Sequence, residues 1–150
     1  MSGRIVYLDS SAIIKRYIKE RTAKKSLNST EKHIMGNVKL SFSLWNIGEV
    51  LGVLDKARRL KRLDRESYEL VRARFLSETL RMKQLGILKL IPVRASILKK
   101  SWPLMEKYHI YQADALQILS SKKVNADEFY TGDKRLNEVA ILEGLNSVLV

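Results

Sequence analysis

The chain contains no cysteine and only two histidines, His33 and His109, in 150 residues. Disulfide frameworks, thiol nucleophiles and thiolate zinc sites are excluded, and an imidazole site has little to draw on. Two prolines and seven glycines are too few for a disordered, collagen-like or low-complexity chain. None of those glycines forms a Walker or dinucleotide spacing, which disfavours nucleotide hydrolysis. No apolar run approaches the ~18 residues of a membrane span. The short run Ile5 to Leu8 ends at Asp9, a residue that the core of a signal peptide would not contain. The expectation is a soluble, cytoplasmic protein with no membrane contact.

Positive charge, by contrast, is abundant. The 28 Lys and Arg face 16 Asp and Glu, a formal net charge of +12. Residues 1 to 75 hold 17 cations and 8 acids, net +9, and residues 76 to 150 hold 11 and 8, net +3. Such a field favours polyanions, nucleic acid before anionic membrane, although a solvated Lys-rich surface raises the pI equally well. With 45% hydrophobic residues, a chain of this length buries roughly 70% of its unfolded surface. One domain over residues 1 to 150 is expected.

Ile5-Val6-Tyr7-Leu8 reads as a strand buried on both faces, stopped by Asp9-Ser10-Ser11, after which Ala12, Ile13, Ile14, Tyr17 and Ile18 recur at helical spacing. A weaker polar helix is expected over 22 to 33, a turn at Gly36-Asn37, and an alternating strand over Val38 to Phe42. Ser43 then caps a helix whose circumference is apolar almost all round up to Asp55, so it should be largely buried. Asp64 opens a long helix that Gly86 stops, and Ile87 to Val93 forms a strand ending near Pro92. The next helix, from about Ser96, contains Pro103, which predicts a kink or break near Trp102. A helix over Ala113 to Leu119, a strand over Glu128 to Thr131, a helix over Lys134 to Glu143 and a strand over Ser147 to Val150 complete the pattern. Strands alternate with helices throughout, which predicts an α/β fold with a mainly parallel central sheet and helices on both faces.

In such sheets ligands bind outside the carboxyl ends of the strands. Asp9 and Asp133 fall there, Glu49 lies one turn into the helix after the second strand, and Asp114 is embedded in Ala113-Asp114-Ala115-Leu116. Asp9, Asp133 and Asp114 could each simply cap a helix. Glu49 on so apolar a helix needs compensation, from a metal, hydrogen bonds or a paired Arg or Lys. If the four acids converge, a site made only of oxygen donors suits Mg²⁺ or Mn²⁺. Phosphodiester hydrolysis uses that chemistry, with the basic surface holding the polyanion. Lys134 and Arg135, beside Asp133, are candidate phosphate contacts, as are Arg58 and Arg59, which equally serve the helix dipole. His109 and His33 read as surface or packed residues.

At these residues the sequence resembles the PIN-domain ribonucleases, especially the small VapC-type toxins of toxin–antitoxin pairs. The resemblance runs over essentially the whole chain. It rests on Leu8-Asp9-Ser10-Ser11, Ile47-Gly48-Glu49-Val50-Leu51, Ala113-Asp114-Ala115-Leu116-Gln117-Ile118 and Thr131-Gly132-Asp133-Lys134-Arg135-Leu136, in that order. It implies a metal-dependent endoribonuclease in which Asp9, Glu49, Asp114 and Asp133 coordinate Mg²⁺ or Mn²⁺, with Ser10 and Thr131 in support. It also implies a homodimer and a small antitoxin partner. Many relatives carry another acid two residues beyond the fourth, where this chain has Arg135, with Asn137 further on. That departure speaks for one metal, or for a site completed by substrate. It also motivates the alternative of a catalytically weak PIN-like module that binds RNA or protein. An RNA-processing nuclease outside a toxin–antitoxin system is another alternative. A phosphoacceptor signalling domain is disfavoured, because Ser10 and Ser11 stand where such domains need a second acid.

Overall fold

The computed structural model describes residues 3–22 and 37–150. The polar helix expected over 22 to 33 lies outside the described residues beyond Thr22, as do His33 and Gly36. The described residues form β1 (Arg4–Leu8), α1 (Ser10–Thr22), β2 (Val38–Ser43), α2 (Leu44–Arg59), α3 (Arg65–Gln84), β3 (Leu88–Ile91), α4 (Ala95–Tyr108), α5 (Gln112–Lys123), β4 (Glu128–Thr131), α6 (Lys134–Leu142) and β5 (Ser147–Leu149). The strands make one sheet in the order β3-β2-β1-β4-β5, every pair parallel. β1 is central, with Val6 opposite Leu40 on one side and Glu128 on the other. The chain winds outward from β1 through β2 and β3, then returns to β4 on the other side. The crevice where the winding reverses therefore opens at the carboxyl ends of β1 and β4, the usual ligand position in such sheets.

Alternation along β1 divides the core in two. Val6 and Leu8 pack with Ala12, Ile13, Leu40, Phe42, Val50, Leu54 and Phe75, so α1, α2 and α3 cover one face. Tyr7 points the other way, stacked on Phe129 at 5.6 Å between ring centroids, among Leu104, Leu116, Ile118 and Val139 of α4, α5 and α6. Each fully buried aliphatic or aromatic side chain is worth about 1.5–3 kcal/mol, and with both faces supplied the sheet needs its continuous apolar strands.

Local signals set several boundaries. Ser43 Oγ accepts from Trp45 N at 3.1 Å at the start of α2, and Asp64 Oδ1 accepts from Ser67 N at 2.6 Å at the start of α3. Gly86, at φ +74°, ends α3 while Ile87 N reaches back to the Met82 carbonyl at 2.9 Å.

Two expectations need correction. Helix α4 is not broken near Trp102; it runs continuously through Pro103. Pro103 and Lys99 both lie on its exposed side, so the Lys99 carbonyl left without an amide partner faces water, while buried Ile97, Ser101, Leu104 and Tyr108 hold the other side. Helix α2 is not largely buried. It packs against α1, α3 and β2, which covers Asn46, Val50 and Leu54 but leaves Leu44, Trp45 and Val53 exposed.

Candidate active site

Asp9 is the first residue past β1, and the ladder runs one step further there, its amide donating to the Tyr130 carbonyl at 3.1 Å. Its buried carboxylate is held on both oxygens. Oδ1 accepts from Ser11 Oγ at 2.7 Å and from Ala12 N at 2.8 Å, while Oδ2 accepts from Thr131 Oγ1 at 2.5 Å. Burial pushes this carboxyl above the ordinary range, the three hydrogen bonds oppose the shift, and the charge of Asp133 adds to it. Capping α1 is therefore one part of what Asp9 does, and the Thr131 contact is the other.

The segment 131–133 is stitched to 9–11 from its own side. Gly132 N donates to Ser11 Oγ at 2.7 Å, and Asp133 N donates to Thr131 Oγ1 at 3.0 Å. Asp133 Oδ1 accepts from Leu136 N at 3.0 Å and caps α6. Among the described residues its other oxygen accepts no hydrogen bond.

Glu49 and Asp114 arrive from opposite faces of the sheet, on α2 and α5. Glu49 Oε1 accepts from Ser10 Oγ at 2.8 Å, and among the described residues no Lys or Arg pairs with it. The paired-cation alternative thus has no counterpart there. Asp114 stands in the first turn of α5, but the cap position is Tyr111, so capping does not explain it either. Its carboxylate accepts no hydrogen bond among the described residues. Burial first, then the charges of Asp133, Glu49 and Asp9, push it up to about 6. Repulsion from three separate acids requires that all four share one neighbourhood.

Every donor group there is a carboxylate or hydroxyl oxygen, the set that suits a hard divalent cation. The described residues hold no preformed cluster of three or more His, Cys, Asp or Glu arranged to hold an ion. The Asp114 carboxylate and the second Asp133 oxygen accept no hydrogen bond among the described residues, and with the oxygen-only donor set they suit Mg²⁺ or Mn²⁺.

The candidate phosphate contacts fare differently from one another. Lys134 is exposed beside Asp133. Arg135 donates to the Tyr108 carbonyl at 2.9 Å and pairs with Glu138 at 3.5 Å, which ties it to the end of α4, where exposed His109 takes a left-handed φ of 56°. Arg58 and Arg59 both bond Asp55, at 2.7 and 3.0 Å, and Arg58 also lies 4.7 Å from the Tyr68 ring centre. An apolar cavity of about 740 Å³ between α1, α2 and α3 is lined by Tyr17, Val50, Leu54 and Phe75 among others, with Lys56 and Arg62; none of the four acids lines it. Sequence reasoning missed Ser11 as the hydroxyl that bridges Asp9 and Gly132. It also missed Asn46 and Gln117, two amides buried in apolar helices one turn from an acid.

The PIN-domain family model matches residues 6–142, and the chain belongs to that family. Among solved structures, VapBC2 from Rickettsia felis, bound to a DNA fragment from its promoter, has a TM-score of 0.64 at 17% identity, covering 97% of this chain and 98% of that one. PAE2754 from Pyrobaculum aerophilum also has a TM-score of 0.64 at 17% identity, over 99% of this chain and 91% of that one. VapC20 of Mycobacterium tuberculosis, a sarcin–ricin loop cleaving toxin, has a TM-score of 0.59 at 13% identity over 89% and 93%. At these identities the likeness is one of fold. No curated protein matches the chain.

Proposed function

We propose that this PIN domain is a divalent-metal-dependent endoribonuclease, the toxin of a VapBC-type toxin–antitoxin pair. The observation that carries the reading is the set of contacts at the winding-reversal crevice: Thr131 joins Asp9 to the Asp133 loop, Ser10 next to Asp9 bonds Glu49, and burial, then the charges of Asp133, Glu49 and Asp9, raise the Asp114 carboxyl. Those four would hold Mg²⁺ or Mn²⁺, which supplies activation of water and neutralisation of charge developing on the scissile phosphate. Thr131 and Ser11 fix Asp9, and Ser10 orients Glu49. Asp114, with a carboxyl raised to about 6, gives up a fraction of a proton near neutrality when a cation arrives, so affinity should rise with pH.

RNA as substrate is supported by the +12 charge and by a structural relative that cleaves the sarcin–ricin loop. The exposed Leu44, Trp45 and Val53 and the apolar cavity beside α2 are surfaces of the kind that a second copy or a small antitoxin covers. Activity on cellular RNA fits a cytoplasmic location; no described helix is long and apolar enough to cross a membrane.

Arg135 favours a second reading, a PIN-like module that binds RNA or protein without efficient cleavage, because by the resemblance many relatives carry an acid at its position and because it is tied to Tyr108. Labelled single-stranded RNA with Mn²⁺, with EDTA and with an Asp114→Asn variant separates the two. The nuclease cuts only in the first case, the binder shifts the RNA without cutting, and cleavage that persists in all three overturns the metal reading.

A further inference from the structure

Beneath the carboxylates runs a second, wholly buried set of polar contacts. Tyr7 and Asn46 are 0% exposed and Gln117 is 3% exposed. The Tyr7 hydroxyl donates to Gln117 Oε1 at 2.7 Å, Gln117 Nε2 donates to Asn46 Oδ1 at 2.7 Å, and Asn46 Nδ2 donates to the Leu8 carbonyl at 3.0 Å. The path leaves β1 at Tyr7, crosses α5 and α2, and returns to β1 at Leu8. The Leu8 carbonyl can only accept, so Asn46 presents its amino group to it and its oxygen to the Gln117 amino group, and Gln117 Oε1 is left to accept from Tyr7, giving one orientation for each amide.

Three members of the path stand beside or one turn from an acid. Leu8 precedes Asp9, Asn46 is one turn before Glu49, and Gln117 is one turn after Asp114; residues three apart share a helix face. Helices α2 and α5 belong to opposite faces of the sheet, so apolar packing within either layer does not set one acid against the other. Hydrogen bonds of fixed length and direction do, and in a dry interior they hold their geometry firmly.

We propose that Tyr7, Gln117 and Asn46 are positioning residues that set Glu49 and Asp114 about Asp9, and thereby set the affinity of the site for a divalent cation. The inference rests on the four-acid reading above.

The test is Mn²⁺ titration of the full chain, followed by thermal unfolding, for wild type, Gln117→Met, Asn46→Leu and the double variant. Supporting partners of metal ligands typically change affinity 10–100-fold, so each single change should weaken Mn²⁺ binding by about tenfold or more. The double variant should be no worse than the weaker single one, since both break one path. Phe75→Leu, in the core under α3, should lower the melting temperature and leave Mn²⁺ affinity unchanged. Tyr7→Phe removes one hydroxyl and no volume, so it decides the question should the amide variants fail to fold. Unchanged Mn²⁺ affinity in folded Gln117→Met or Tyr7→Phe overturns the positioning role and leaves the four-acid reading standing. A wild type with no Mn²⁺ response overturns both.

Discussion

Thr131 donates its hydroxyl to Asp9 Oδ2 at 2.5 Å and accepts the Asp133 amide on the same oxygen at 3.0 Å. One buried hydroxyl on β4 thus orients an acid at the end of β1 and the loop that bears another. Thr131→Val keeps the shape and removes both bonds. Hydrogen bonds to charged groups contribute about 1.5–3 kcal/mol, so the variant should lose stability of that order near neutral pH. The loss should shrink in acid, where Asp9 is protonated and no charge is left unpaired. Urea midpoints at the two pH values check it, and Thr131→Ser should recover most of the loss. A Val variant as stable as wild type at neutral pH contradicts the bond's importance.

Asp114 gives a pH dependence with a definite sign. Its folded carboxyl sits at about 6, against an ordinary 3.8, so in that window the folded chain holds a proton that the unfolded chain has released. Stability without metal therefore falls as pH rises through the window and levels off above it. Asp114→Asn removes this contribution. Unfolding midpoints from about pH 4 to about pH 7 should show the variant gaining on wild type as pH rises, and at least matching it at the top. A variant that loses ground over that range would place Asp114 in a favourable pairing instead.

The two cations after Asp133 should behave differently. Arg135→Ala removes a bond to the last carbonyl of α4 and an ion pair with Glu138, so stability should fall by about 1 kcal/mol. The salt dependence of RNA binding should hardly change. Lys134→Ala should cost little stability and reduce the logarithmic salt slope by about 0.7, the contribution of one neutralised phosphate on a single strand. Titrations of RNA at several salt concentrations, beside melts, separate the effects. The opposite pattern would make Arg135 the phosphate contact.

Much of this site was legible because its acids sit at boundaries that local sequence marks. The apolar run before Asp9 and the strand Glu128 to Thr131 before Asp133 gave their positions directly, and Glu49 stood out as a charge on an apolar helix. Asn46 and Gln117 did not stand out, because an uncharged amide among apolar neighbours carries no signal of which side chain it will meet across the sheet. The exposed side of α2 was misjudged for a related reason: its composition is apolar all round, and only the number of neighbouring elements decides which side is covered. Pro103 was read from local chemistry, while burial along the opposite side of α4 determined the outcome. Arg135 likewise reads as a phosphate contact until the end of α4 is brought to it.

If four carboxylates hold a divalent cation, Asp9 offers the sharpest contrast, because it also caps α1. Asn caps about as well as Asp, so Asp9→Asn should fold; it keeps an oxygen toward Ala12 N and gives up the bond from Thr131, a loss that relief of repulsion among the acids partly offsets without metal. With free Mn²⁺ a hundredfold above its dissociation constant, wild type should gain about 2.7 kcal/mol. The Mn²⁺-induced shift in unfolding, measured for both proteins, should be far smaller in Asp9→Asn; equal shifts would exclude Asp9 as a ligand.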